Sequence, residues 1–499
     1  MSVSFQHIPD NLRVPLFYAE LDNSQASFFQ IQQRALLIGQ KLDEAEAEAN
    51  APALVTSVAE VKDLAGRGSI LAHMMETYRQ NDGFGEVWIL PVADDSAGVK
   101  ATGSVQITSG PTAAGTLNLY IAGQRVRIGV EEDDSAEDVA SALAEEINDE
   151  DDLPVTASAE IDTVTITAKN AGTLGNDIDL RLNYRGRLGG ETTPQGMSVE
   201  ITAMSDGSGD PELGDALANL GDKEYDFVAS PYTDSANLDL IDETWSDQTG
   251  RWAWDKQIYG HVWSAKQGTV SELSTFGNSR NGPHVTVMGY DGSPTPPWRW
   301  AAAMAGQAAK SIRNDPARPL QTLPLVGLLP PASDDQFEIS ERNILLFDGV
   351  ATHYVDDGGM VRIERSITTY RVNAFGQPDP SYLDVTTMAT LTAVLRRLRA
   401  VITQKFPRHK LANDGTRFGP GQAIVTPNVI RAELIAQYSE MEFLGLVENI
   451  DAFKDNLIVQ RNADDPNRVD VVYPPDLVNQ LRVFAVLAQF RLRYPPEIE

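Results

Sequence analysis

Between residues 341 and 410, runs of β-branched and aromatic residues give way, across a turn, to a regular helical repeat. Residues 344–355 and 360–372 are the two β-rich runs. They are joined by Asp356, Asp357, Gly358 and Gly359, a composition suited to a hairpin turn with positive φ. After a Gly-Pro-rich turn, Met388, Leu391, Leu395, Leu398, Ile402 and Phe406 recur at steps of three and four, one apolar stripe on a helix over 386–410. Two strands and then a helix are expected. That helix also carries Arg396, Arg397, Arg399, Lys405, Arg408 and Lys410 with no acid among them, in a chain of 71 acidic and 40 basic residues. Its charges either neutralise acids of the same chain, dock an acidic partner, or meet nucleic acid. A formal net charge of −31 opposes the last.

A small-residue hairpin turn, the run VRIERSITTY at 361–370 and an Arg-rich helix resemble, in this order, the C-terminal region of contractile phage tail sheath proteins. By its length and its two ends, the chain is similar to the sheaths of Mu-like phages within the myovirus tail sheath family.

At 499 residues the chain is expected to hold more than one core. It has no cysteine, which excludes disulfides and thiolate metal sites, so stability must come from packing and association. No window approaches the roughly 20 apolar residues of a membrane span, and the N-terminus lacks the pattern of a secretory signal.

In chain order, residues 1–28 read as an arm. Val3, Phe5 and Ile8 alternate with polar residues before Pro9 and Pro15 interrupt, so the segment is either a frayed terminus or a strand given to a neighbour. Residues 29–96 read as the first part of an α/β domain, with buried strands at 34–38 and 87–92 and helices at 57–64 and 70–79. Residues 97–204 break that pattern with short Thr/Val/Ile alternations between Gly and Asn turns, plus one helix over 136–147 N-capped by Ser135: a small β-rich domain inserted in a loop. Its acidic clusters at 131–134 and 145–152 read as a solvated face, the alternative being a cation site without the loop of a calcium hand. Residues 205–340 return to the α/β domain, with a helix at 213–220 and a strand at 227–229, and hold six of the seven tryptophans. These suit a core and subunit interface, or a carbohydrate-stacking platform. Residues 341–475 form an α+β domain that includes a helix over 427–448, capped by Thr426 and Pro427 with Ile430, Leu434, Tyr438 and Met441 on one face. A second hairpin pairs 456–461 with 468–473. Residues 476–499 are a C-terminal arm whose apolar stretch 481–492 reads as a strand that must pair, within the subunit or with a neighbour.

The fold class is thus mixed α/β and α+β in several domains, with extended terminal arms. No catalytic constellation stands out: the six histidines have no metal spacing, and GxSxG is absent. The Lys-Ser pair of GQAAKS at 306–311 lies in a helical pattern without the second glycine of a phosphate loop. The reading is no enzyme, no cofactor and no metal.

The resemblance implies more than composition does. It implies subunits in stacked hexameric rings around a tail tube, shortening by rearrangement to drive the tube through a host envelope. It implies a virion component assembled in the host cytoplasm, with tube, baseplate and tail terminator proteins as partners, and neither nucleic acid nor membrane insertion. Residues 29–95 and 205–499 would lie toward the tube and the insertion outward. The hairpin, with Leu457, Val459, Val469 and Val471, would accept one neighbour's N-terminal strand through Val3, Phe5 and Ile8. It would accept another's C-terminal strand through Leu481, Val483, Ala485, Leu487 and Phe490, across a flexible connection at 476–480. The six cations of the helix over 386–410 would be tube contacts, with the helix over 427–448 as the other candidate. The rival from another class is a secreted acidic carbohydrate-binding protein or glycoside hydrolase using the Trp-rich section.

Overall fold

The computed structural model of the chain describes residues 33–492. Its centre is a six-stranded sheet in the order β13-β12-β11-β1-β3-β2, parallel except for the edge strand β2. The first part runs β1 (Arg34–Gln40), β2 (Ala53–Val55), α1 (Val58–Ala65), α2 (Ile70–Asn81) and β3 (Glu86–Val92). Ser57 and Ser69 cap the two helices by accepting from Glu60 N and Ala72 N, which is why the helices start there. β1 and β3 are almost wholly buried, as strands of a sheet covered on both faces must be.

The next block folds on two antiparallel sheets. It contains β4 (Thr102–Ser109), β5 (Gly115–Ile121), β6 (Gln124–Val130), α3 (Ala136–Asp149), β7 (Val155–Glu160), β8 (Thr163–Ala168), β9 (Leu180–Leu182) and β10 (Ser198–Ser205). The sheet orders are β10-β4-β8-β7 and β6-β5-β9. Ser135 and Asp138 make the capping box that starts α3. Polar contacts hold this block on the first. Asp94 accepts from Gln40, Asn170 and Ala171 N, Lys62 and Arg67 pair with Asp152, and Tyr184 donates to Pro330 O.

The chain returns through α4 (Gly214–Ala218), β11 (Phe227–Ala229), α5 (Ser235–Thr244), β12 (His261–Gln267), α6 (Val270–Asn278), β13 (Val285–Tyr290) and α7 (Pro297–Asn314). The GQAAKS segment lies within α7, and Gly306 there packs on Tyr78 O and the Asn81 side chain. Trp245, Trp263, Trp298 and Trp300 are fully buried, the core reading; Trp254 alone of the six is exposed.

α8 (Ile339–Phe347) corrects the strand expected from residue 344. The Glu338 side chain accepts from the backbone of Glu341, and Glu338 N donates to the Glu341 carboxylate in return, a capping box that nucleates a helix through the ILLF run. The hairpin is shorter than expected: β14 (Thr352–Val355) pairs with β15 (Val361–Arg365), and Gly359 takes the positive φ of the turn. Residues 366–372 make only isolated bridges. α9 (Val385–Lys405), β16 (Lys410–Leu411), β17 (Ile424–Val425), α10 (Pro427–Phe443), α11 (Ile450–Asn456), β18 (Ile458–Arg461) and β19 (Val469–Val472) complete the fold. α10 stops five residues short of the expected 448. A Gly445 in the left-handed region follows its end, and a separate helix, α11, begins only at Ile450.

Two cores result. The larger joins the central sheet, its helices and the 102–205 block. The second is built from Val394, Ile430, Leu434, Tyr438, Met441, Val447 and Phe453, with Leu398, Ile402 and Phe406 packed against it. α9 reaches both. No helix among the described residues is long and apolar enough to cross a membrane.

Candidate functional site: the helix α9, the hairpin and the C-terminal segment

The expected apolar stripe of α9 divides in two. Val385, Met388, Thr392 and Arg396 are buried at steps of three and four in the first half, and Val394 with Leu398, Ile402 and Phe406 packs on the second core. Arg396 is therefore no surface residue. It is 7% exposed, with Nη1 2.6 Å from Asp226 Oδ1 and Nη2 2.9 Å from Glu224 Oε1. Burial pushes the Asp226 carboxyl up, and Arg396 opposes that shift. Burial also works against the guanidinium's charge, but Asp226 and Glu224 outweigh it and raise its pKa. Asp226 in turn accepts from Arg34 N at the start of β1, so Arg396 bolts α9 to the central sheet.

The helix expected over 386–410 ends at Lys405, so Arg408 lies in the turn beyond α9 and Lys410 opens β16, and the remaining cations divide between the chain's own acids and solvent. Arg397 pairs with Glu440 and donates to Gln437 at 3.1 Å, and Lys405 donates to Glu433 at 2.7 Å, all on α10. Arg399, Arg408 and Lys410 are exposed, Lys410 reaching only the neutral Gln422. Part of the charge thus neutralises acids of the same subunit, and three cations remain on the outside. From the sequence all six are candidate tube contacts, with Arg396 and Arg397 placed off the apolar stripe; the structure buries Arg396 instead. The signal that separates them is the 388, 392, 396 spacing, which puts Arg396 on the buried face.

The second hairpin is present as β18 and β19, antiparallel over four register pairs, from Ile458 with Val472 to Arg461 with Val469. Leu457 is buried beneath it, and Val459 and Val469 lean on the second core. Val471, with Ile458 and Val472, is exposed. Neither strand has a second neighbour among the described residues. An isolated two-stranded ribbon is marginal in water, so this one rests on the helices beneath it.

Among the described residues no ladder includes the C-terminal stretch 481–492, so it is not a strand there. Leu481, Val483, Phe484, Val486, Leu487, Phe490 and Leu492 are exposed, Phe490 at 86%, and Ala485 lies among them. Residues 476–480, expected as a flexible connection, are instead pinned. Asp476 O accepts from Glu448 N, Val478 N donates to Leu446 O, and Gln480 donates to Ala317 O. Val3, Phe5 and Ile8 lie outside the described residues.

Residues 206–369 match the phage tail sheath protein central domain, and residues 377–491 match the phage tail sheath C-terminal domain. Over 494 residues the chain is 44% identical to a Mu-like prophage tail sheath protein of Haemophilus influenzae, covering 99% of this chain and all of the relative. The chain belongs to the phage tail sheath family. Solved structures with a similar course include the sheath tail protein of Desulfitobacterium hafniense, at 13% identity and a TM-score of 0.46, covering 93% of this chain and 100% of that one. The helical sheath of the anti-feeding prophage in its contracted state matches at 11% identity and a TM-score of 0.47, covering 97% and 100%. This sheath protein is accordingly a structural subunit of a contractile phage tail and a component of the virion. The glycan-binding or glycosidase alternative has no support, and four of the six tryptophans it relied on are fully buried.

Proposed function

We propose that the chain polymerises into stacked hexameric rings around a tail tube, and that rearrangement of the rings drives the tube through the host envelope for genome delivery. Assembly takes place in the host cytoplasm, and the polymer meets baseplate and tail terminator proteins at its ends. Neither nucleic acid nor membrane insertion has a part. The N-terminal arm is residues 1–28, and the inserted block at 97–204 faces outward. The subunits are held together by exchanged strands. The β18–β19 hairpin, with Leu457, Val459, Val469 and Val471, takes the N-terminal strand of Val3, Phe5 and Ile8 from one neighbour. From another it takes the C-terminal strand of Leu481, Val483, Ala485, Leu487 and Phe490.

The observation that carries this reading is a matched pair of incomplete elements. Among the described residues, the twelve-residue apolar segment 481–492 has no ladder, and a two-stranded ribbon has two open edges. Each is an aggregation hazard alone, and each completes the other by main-chain hydrogen bonding. Truncating the chain after Arg482 tests this. The expected product is a soluble, folded subunit that forms no tubes by electron microscopy, and tubes of normal length from the truncated chain would refute strand exchange.

For the tube we propose the exposed cations Arg399, Arg408 and Lys410. Reversing these three to Glu is expected to leave self-assembly intact and to abolish co-assembly with tube protein. Unchanged co-assembly would exclude this helix and leave α10 as the candidate.

A further inference from the structure

Arg482 stands where the C-terminal segment leaves the body of the subunit. Just before it, residues 476–478 are tied to the second core through the bonds to Glu448 N and Leu446 O. Residues 480–482 are tied to the first. Gln480 donates to Ala317 O at 3.0 Å and Gln321 donates to Leu481 O at 3.2 Å. The Arg482 guanidinium donates to Gln321 Oε1 and Thr386 Oγ1, both at 3.2 Å, and to Gln480. It also lies 3.1 Å from Asp384 Oδ1. Asp384 is the N-cap residue of α9, and Arg365 grips both of its carboxylate oxygens at 3.1 and 2.9 Å. One residue later the chain is in solvent, with Val483 80% and Phe484 81% exposed. Where the segment leaves the body, the hold is therefore a largely buried guanidinium clamped on the first turn of α9. Farther along, that helix carries Arg399, and the segment just past its end carries Arg408 and Lys410, the cations assigned above to the tube.

We propose that Arg482 is a mechanical anchor that transmits a neighbouring subunit's hold on the C-terminal segment to the first turn of α9. It thereby couples strand engagement between subunits to the position of the tube-facing helix. The inference rests on the strand-exchange reading. Its physical content is which element takes the load. Without the anchor, the holds left on residues 480 and 481 are Gln480 on Ala317 O and Gln321 on Leu481 O, and neither partner lies on α9. A tether held there alone can stay engaged in the neighbour while α9 no longer feels it. Lysine retains the charge but not the fork that spans Asp384, Thr386 and Gln321 together.

The test is amide hydrogen exchange over residues 385–389 in the full-length chain, before and after polymerisation, in the natural sequence and in Arg482→Ala. Polymerisation is expected to slow exchange there by about tenfold in the natural chain, and by less than about twofold in Arg482→Ala, which still polymerises because its apolar segment is intact. Equal slowing in both chains, or none in the natural chain, overturns the anchor. If Arg482→Ala does not fold, Arg482→Lys replaces it, and full natural protection in that variant overturns the proposal equally. Failure of the underlying reading is separate and visible: a chain truncated after Arg482 that still forms normal tubes removes strand exchange itself.

Discussion

Replacing Arg396 by alanine would leave Asp226 and Glu224 facing a buried site without their counter-charge. Removing one partner of a buried ion pair typically costs about 3–5 kcal/mol, because the remaining charge stays desolvated. Urea unfolding of the unassembled Arg396→Ala chain is expected to show a loss of that size. Arg399→Ala, at an exposed position on the same helix, should change stability by no more than about 0.5 kcal/mol. A comparable pair of values would mean that Arg396 is not the bolt described here. Histidine supplies a second residue-scale effect. His353 is fully enclosed, donates from Nδ1 to Gly289 O, and is pushed down to about 4 by burial. His73, which accepts from Trp298 and donates to Asp152 O, and His261 are also held well below their ordinary value by burial. Above pH about 6.5 these rings are neutral in both the folded and unfolded chain and contribute no pH dependence. As pH falls from there toward about 4, the unfolded chain takes up protons that the folded one cannot, so stability is lost on acidification. His353 alone accounts for roughly 3 kcal/mol over that window, at about 1.4 kcal/mol per pH unit. His353→Gln should therefore reduce the slope of unfolding free energy between pH 6 and 5 by about one proton, and an unchanged slope would show that the ring titrates freely.

At the scale of elements, the second core is small and stands apart from the first, so it should fail by itself. Leu434 is buried at its centre on α10. Leu434→Ala is expected to cost about 2–4 kcal/mol and to expose residues 410–475 to limited proteolysis while the central sheet stays protected. Proteolysis spread evenly over the chain would contradict two separable cores. How far such elements could be read from the sequence depended on whether local signals stood alone. Each strand and the helix of the 102–205 block lie where their Thr/Val/Ile alternation put them, because Gly and Asn turns bound them and Ser135 caps the helix. The helix starts at Ser57 and Thr426 were equally plain, since a capping side chain is written in the residues themselves. The run 344–347 was not. Ile, Leu, Leu and Phe suit either a strand or a helix, and the decision lies in the reciprocal cap six residues upstream. Of the candidate site, the hairpin and the apolar C-terminal segment were legible as composition. The burial of Arg396 and the pinning of residues 476–482 were not, because each depends on partners that lie far away in the chain, Asp226 and Glu224 for one and Ala317, Gln321 and Asp384 for the other.

For the molecule as a whole, charge governs how subunits meet. Each subunit carries a formal −31, and polymerisation brings such bodies together repeatedly. Under the strand-exchange proposal, what opposes this repulsion is burial of the exposed apolar segment beyond Arg482 and completion of open sheet edges, both of them contacts of short range. The repulsion is long-ranged: its screening length is about 30 Å at 0.01 M salt and about 8 Å at 0.15 M. Encounter between subunits should therefore be slow at low ionic strength and quicken as salt rises, whereas the affinity of strands already engaged should respond little. Light scattering from the purified full-length chain is expected to show a lag that shortens steeply between those two salt concentrations, with the final mass of polymer nearly constant. The opposite trend, assembly fastest at low salt, would mean that the interface is built from paired opposite charges, with cations such as Arg399 and Arg408 seated on a neighbour's acids. That outcome would take those cations away from the tube and return them to the sheath itself.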